Sequence, residues 1–216
     1  MSFHPRMEYA PAKFHKSERK LAEPGEPFTY TPENQKKFDE VVTHYPPEQR
    51  KSAILYALYL AQSQGGGYLT AAAMQHVAEQ IRCTTAEVED VVTYYTMFYR
   101  QPVGQYVLNV CRTLSCALMG AERVTEALSA KLGIRPGETD ASGMFTLMEV
   151  ECLGACDRAP VVMVNDTHWH ERLRPEECGA FVDTLKAKGL AAVTGCHLHK
   201  EGPGLRAQGS EGTRKG

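Results

Sequence analysis

The chain has 216 residues, 43% of them hydrophobic, and a formal net charge of -2. That length accommodates one domain or two small ones with real cores, without help from disulfides. The charge lacks the basic surplus that nucleic acid or anionic lipid selects, so neither is an expected partner.

Residues 1–31 mix Pro5, Pro11, Pro24 and Pro27 with charges and little periodicity. They read as an extended N-terminal arm that buries little of itself, either idle or laid across a partner. The first residues carry no charged segment leading into an apolar one, so a secretory leader is not expected. The cytoplasm is the expected compartment, and thiols there stay reduced.

From residue 32 to 100 the pattern is helical. Phe38, Val41, Val42 and Tyr45 recur at helical spacing until Pro46-Pro47, and a second helix is expected over 48–64. Its apolar block, residues 53–61, falls far short of the roughly 20 residues that a membrane-spanning helix needs. Gly65-Gly66-Gly67 breaks the chain, and Thr70 is placed to cap a third helix ending near Ile81. Thr84 with Glu87 has the spacing of a capping box for a fourth, which is expected to carry Val88, Val91, Val92, Tyr95 and Phe98 as a packing stripe. These segments predict an N-terminal helical bundle.

After Pro102 the period changes. Residues 105–110 predict a strand running into Cys111, 115–132 a helix ended by Gly133, and 145–151 a second strand ending at Cys152. Residues 161–164 are apolar enough to lie centrally in a sheet, Asn165-Asp166 makes a turn, and 168–171 form a short exposed strand. A last helix is expected from Pro175 to about Lys188. The order predicts an α+β or α/β domain over 101–196, built on one sheet. Residues 197–216, rich in glycine and charge, are expected to be disordered.

Four of the seven cysteines form two close pairs, Cys111-x4-Cys116 and Cys152-x3-Cys156, each where a strand runs into a loop. Four thiolates are a full ligand set for one metal centre. Structural zinc favours Cys-x2-Cys knuckles, which are absent, so zinc stays open without being favoured. A thiol-disulfide enzyme wants Cys-x-x-Cys at a helix N-terminus, and a Rieske centre wants two histidines near the loops. An all-cysteinyl iron-sulfur cluster is the strongest candidate. Gly154 permits a tight turn between ligands, Ala117 and Ala155 leave room for sulfide, and backbone N–H groups of such loops can donate to sulfur. Arg112 and Arg158, beside the ligands, either favour the reduced state or point to solvent.

The stretch Cys111-Arg-Thr-Leu-Ser-Cys116, followed by Glu149-Val-Glu-Cys152-Leu-Gly-Ala-Cys156-Asp-Arg-Ala-Pro160-Val-Val-Met-Val-Asn165, resembles the thioredoxin-like 2Fe-2S subunit of the NADH-dehydrogenase module of respiratory NADH:quinone oxidoreductase, complex I. The resemblance covers about residues 33–188 and extends to Tyr45-Pro46, Gly67-Tyr68-Leu69 and residues 92–98. It implies a helical bundle followed by a thioredoxin-like 2Fe-2S ferredoxin domain, with one cluster on Cys111, Cys116, Cys152 and Cys156. It also implies a partner subunit that binds FMN and NADH, and further iron-sulfur subunits. In that family the cluster exchanges single electrons with the flavin, on the far side from the main wire to quinone. The complex would hold the chain on the inner face of the cell membrane without direct insertion. Arg112 and Arg174, the latter where a capping Ser or Thr is usual, depart from the family's pattern. The same module serves as a diaphorase subunit in NAD-linked hydrogenases and formate dehydrogenases. A zinc-stabilised interaction domain without a redox role is the reading from another class.

Cys83 and Cys178 lack partners at ligand spacing and read as idle or buried thiols. Cys196-His197-Leu198-His199 supports at most adventitious metal binding. His168-Trp169-His170, on an edge hairpin, leans toward a contact surface for a partner. Pro160 stands where thioredoxin folds place a cis proline. Without a Gly-x-Gly-x-x-Gly or Walker loop, the chain itself is expected to bind neither nicotinamide nor ATP.

Overall fold

A computed structural model describes residues 22–195. Helices α1 (Pro32–Val42), α2 (Ile54–Gln64), α3 (Ala71–Ile81) and α4 (Thr85–Tyr94) come first. Their starts are set by side chains: the hydroxyls of Thr31, Thr70 and Thr84 each accept a backbone N–H from the first turn, and Glu87 completes the capping box with Thr84. Phe38, Leu58, Leu69, Val77, Ile81 and Val88 close into one apolar core. Two expectations shift here. The stretch Pro47–Ala53 is a 3-10 helix with Gln49 outside helical geometry, so α2 begins only at Ile54. The fourth helix stops at Tyr94 because Tyr95 turns extended (ψ 118°), which puts Tyr95 and Phe98 beyond it, in the packed segment that follows.

The described end of the arm also buries more than its composition suggests. Tyr30 is buried and its hydroxyl donates to the carbonyl of Ala57 at 2.7 Å, while Phe28 meets His76 edge-on. Two aromatics anchor a segment that its prolines keep extended.

The second part is a four-stranded mixed sheet in the order β2-β1-β3-β4, with β1 Tyr106–Cys111, β2 Phe145–Val150, β3 Val161–Val164 and β4 His168–Glu171. β1 and β2 are parallel, and the other neighbours are antiparallel. A parallel pair needs a crossover, supplied by α5 (Leu114–Leu118) and α6 (Ala121–Leu132). The single helix expected over 115–132 is broken in two by Gly120, at φ +92°. Leu108 and Val110 share a core with Val124 and Leu128 of α6 and with Phe181, Val182 and Leu185 of α7 (Cys178–Lys188). Alternation along β1 then points Asn109 and Cys111 to the other face.

On that face Asn109 Nδ2 donates to Asp166 Oδ1 at 2.8 Å and the Tyr99 hydroxyl donates to Asp166 Oδ2 at 3.0 Å. Tyr99 N–H donates to Gln62 Oε1 at 2.9 Å, so this buried network joins α2 to the sheet. The entry to β1 is equally tight: a Cβ on Gly104 would lie 2.7 Å from the backbone carbonyl carbon of Phe145. Gly104→Ala is expected to push β1 from β2 and lower stability by about 1–3 kcal/mol, read as a lower denaturation midpoint.

Candidate metal centre

Parallel pairing decides where the cysteines meet. Cys111 is in register with Val150 and the Arg112 N–H donates to the Val150 carbonyl at 3.0 Å, so β1 and β2 release their chains side by side at one end of the sheet. The first loop turns into α5, which carries Cys116. The second holds Cys152, turns at Gly154 (φ +74°) and enters a 3-10 turn, Cys156–Arg158. Only a residue tolerant of the left-handed region makes that turn without strain. The Ala159-Pro160 peptide that follows is cis.

The four thiols arrive as two pairs. Cys111 and Cys116 are near enough for each to shift the other's ionisation, and the Cys152 and Cys156 sulfurs stand 3.6 Å apart. Cys111 and Cys116 are buried, each 2% exposed, while Cys152 and Cys156 are exposed. The pairs sense one another electrostatically, Cys116 with Cys156 and Cys152 with Cys111. Among the described residues, no three His, Cys, Asp or Glu side chains gather around one point. Together the two pairs supply the four thiol sulfurs that an all-cysteinyl centre would need.

Within each pair one sulfur is prepared to be an anion. Burial works against ionising Cys111, yet hydrogen bonds from the Thr113 hydroxyl and from the N–H groups of Thr113 and Leu153 hold its thiol below the ordinary value. The Gly154 N–H, donating at 3.4 Å, leads the lowering at Cys152, followed by the Cys156 thiol and Thr113. Burial and the neighbouring Cys111 push Cys116 up to about 11, and the Cys152 thiolate raises Cys156. In each pair the surroundings thus favour ionisation of one sulfur over the other, and a bound metal would take both as thiolates. The donor set fits an all-thiolate cluster: soft sulfur ligands, with N–H and O–H groups aimed at them.

Other expectations resolve differently. Arg112 is in an ion pair with Glu151 at 2.6 Å, and Arg158 lies 3.0 Å from Asp157 and 3.9 Å from Glu171. Their charges therefore reach the loops already balanced by carboxylates, and they are weak levers on the site's potential. Trp169 is half-buried and donates from Nε1 to the Leu153 carbonyl at 2.9 Å. His170 lies over the Phe181 ring at 4.2 Å. This half-buried edge hairpin packs against the second cysteine loop through Trp169. Cys178 is buried with its sulfur 3.4 Å from the Arg174 carbonyl, and Cys83 lies beside Thr84, far along the chain from the loops. The Cys196-His197-Leu198-His199 stretch lies outside the described residues. Sequence reasoning missed two features: the Thr113 hydroxyl, 3.2 Å from the Cys111 sulfur, and the exposed apolar side of α5. The hydroxyls in Cys-x-Thr-x-Ser-Cys were a signal for the first, since a residue two beyond a strand-end ligand can fold back on it.

Comparison with known proteins agrees with this geometry. The model of the thioredoxin-like 2Fe-2S ferredoxin family matches residues 38–186. A subunit of the NADH-quinone oxidoreductase of Rickettsia bellii (strain RML369-C) is 40% identical over 159 residues, covering 74% of this chain and 95% of that protein. The mitochondrial NADH dehydrogenase (ubiquinone) flavoprotein 2 of Dictyostelium discoideum is 39% identical over 145 residues, 67% of this chain and 59% of that one. A crystal structure of an NAD+-reducing NiFe-hydrogenase in the H2-reduced state aligns with a TM-score of 0.52 at 21% identity, over 61% of this chain and 22% of that one. At that identity the likeness concerns the fold alone. On the family match and the shared identity, the chain belongs to the thioredoxin-like 2Fe-2S ferredoxin family, on the branch that serves NADH-quinone oxidoreductase.

Proposed function

We propose that the chain binds one 2Fe-2S cluster on Cys111, Cys116, Cys152 and Cys156 and exchanges single electrons with the FMN of a partner subunit during NADH oxidation by NADH:quinone oxidoreductase. The observation that carries this reading is the meeting of two thiol pairs at the ends of two parallel strands. When bound, the cluster supplies one-electron storage; hydride chemistry belongs to the flavin and nicotinamide of the partner. This chain's residues hold the sulfurs, donate hydrogen bonds to them and cover one pair from water. In this reading residues 1–31 are an arm, 32–100 a helical domain, 101–196 the cluster domain and 197–216 a tail. No helix among the described residues is long and apolar enough to cross a membrane. Attachment to the inner face of the cell membrane would come through the other subunits.

The partner's position is supported by α5. Leu114 and Leu118, one helical turn apart, and Met119 are 75%, 78% and 60% exposed, on the helix that carries Cys116. Large apolar side chains left in water beside a redox site suit a subunit interface, and electron exchange needs the flavin close to the loops. Leu118→Asp is expected to lose most of the copurifying flavin subunit while the iron content per chain stays unchanged. Retention of the partner at wild-type yield would place the interface elsewhere. Copurification also tests the host: a hydrogenase or molybdenum subunit in place of quinone-reducing partners would assign the chain to an NAD-linked hydrogenase or formate dehydrogenase.

A further inference from the structure

We propose that the Thr113 hydroxyl donates a hydrogen bond to the sulfur of Cys111 and thereby raises the reduction potential of the site, an inference that rests on the cluster reading above. Four helices among the described residues have threonine at the N-cap, and three of those hydroxyls, on Thr31, Thr70 and Thr84, accept a backbone N–H from their own helix. Thr113 is the fourth, with the same extended backbone (φ -77°, ψ 171°), and its side chain makes no capping bond. Its Oγ1 lies instead 3.2 Å from the Cys111 sulfur, and the hydroxyl also acts on Cys152 of the second pair. A residue type that ordinarily caps is thus turned toward sulfur, at the junction of the two thiol pairs.

The direction of that bond follows from chemistry. A free thiol and a hydroxyl can each donate, but a metal-bound cysteine sulfur has no proton, so only the hydroxyl can. Adding one electron puts one more negative charge on the cluster and its sulfurs; no bond breaks, and Thr113 keeps its proton. A donor aimed at sulfur stabilises the more negative state more strongly, which raises the potential. With Arg112 and Arg158 occupied by carboxylates, this neutral dipole is the side-chain donor that the electron meets at the buried pair.

Thr113→Val keeps the shape of the side chain and removes the donor, whereas Thr113→Ser keeps the donor. The full chain, loaded with cluster and reduced stepwise with dithionite, is titrated by electron paramagnetic resonance, with iron and sulfide counted in parallel. Electron-nuclear double resonance in H2O and D2O reads the exchangeable protons near the cluster, among which the Thr113 hydroxyl adds one to those of the backbone N–H groups. The expected result is a full cluster in all three proteins, a lower midpoint potential and a lost exchangeable-proton coupling in Thr113→Val, and both restored in Thr113→Ser. A loaded Thr113→Val that titrates with the wild type, a Thr113→Ser that titrates with Thr113→Val, or a Thr113→Val that takes up no cluster each overturns the proposal. A wild-type chain without iron and sulfide overturns the cluster reading itself, so the two failures are told apart.

Discussion

Cys152→Ser is expected to lose most of the paramagnetic signal that the reduced protein gives, with a fall of roughly tenfold or more in bound cluster, while Cys178→Ser leaves both unchanged. The contrast follows from position. Cys152 is exposed, receives the Gly154 N–H at 3.4 Å and stands 3.6 Å from Cys156, so its sulfur supplies half of one thiol pair. A serine oxygen there is harder, shorter in reach and far less acidic than a thiol, and it leaves Cys156 without a matched partner. Cys178 is buried against α6, and burial pushes its thiol up to about 11, which suits a packing residue and not a ligand. Iron analysis and electron paramagnetic resonance on the two variants check this directly. An undiminished signal in Cys152→Ser would remove Cys152 from the ligand set.

The second large effect lies at Asp166. Burial pushes its carboxyl up to about 6, against the pull of hydrogen bonds from Tyr99 and Asn109. In the unfolded chain the group titrates near the ordinary value of about 3.9. Below that value both states are protonated and the group costs nothing. As pH rises toward and through 6, the unfolded chain releases its proton first, and the folded chain must then accept a buried charge, so stability is lost with rising pH. The shift corresponds to about 3 kcal/mol above pH 7. Asp166→Asn mimics the protonated form, can bridge Tyr99 and Asn109, and suits the positive φ of 56° at this turn. It is expected to stabilise the protein by about 2–3 kcal/mol at pH 7.5 and by little at pH 4, measured as denaturation midpoints across that range. A gain independent of pH would show that the carboxyl does not titrate in this window.

Asp166 also marks where the sequence stops being legible. Asn165-Asp166 is readable as a turn, and both residues do take positive φ. Turn chemistry speaks for local backbone and predicts exposure; that this turn folds under β1 against Tyr99, 67 residues away, is a tertiary fact. The same division runs through the rest of the chain. Thr70, Thr84 and Glu87 cap the helices expected of them because capping is local. The end of α4 before Tyr95 and the break at Gly120 depend on how the following segments pack, and periodicity carries no such signal. Phe28 and Tyr30 look like part of a solvated arm because the groove that receives them is built by residues 27–48 positions further on. At the site, the cysteine pairs and Gly154 are legible from spacing. The clasp by Trp169 and the diversion of Thr113 from capping to sulfur are not, since each turns on where two loops lie in space.

Whether four cysteines in two pairs hold a 2Fe-2S cluster is tested most directly on the anaerobically purified full chain. Iron, zinc and acid-labile sulfide are counted there, with electron paramagnetic resonance before and after one-electron reduction. The expected result is about two irons and two sulfides per chain, silence in the oxidised protein and a signal from one unpaired spin in the reduced one. A colourless chain that carries zinc, lacks sulfide and stays silent on reduction would contradict the cluster assignment.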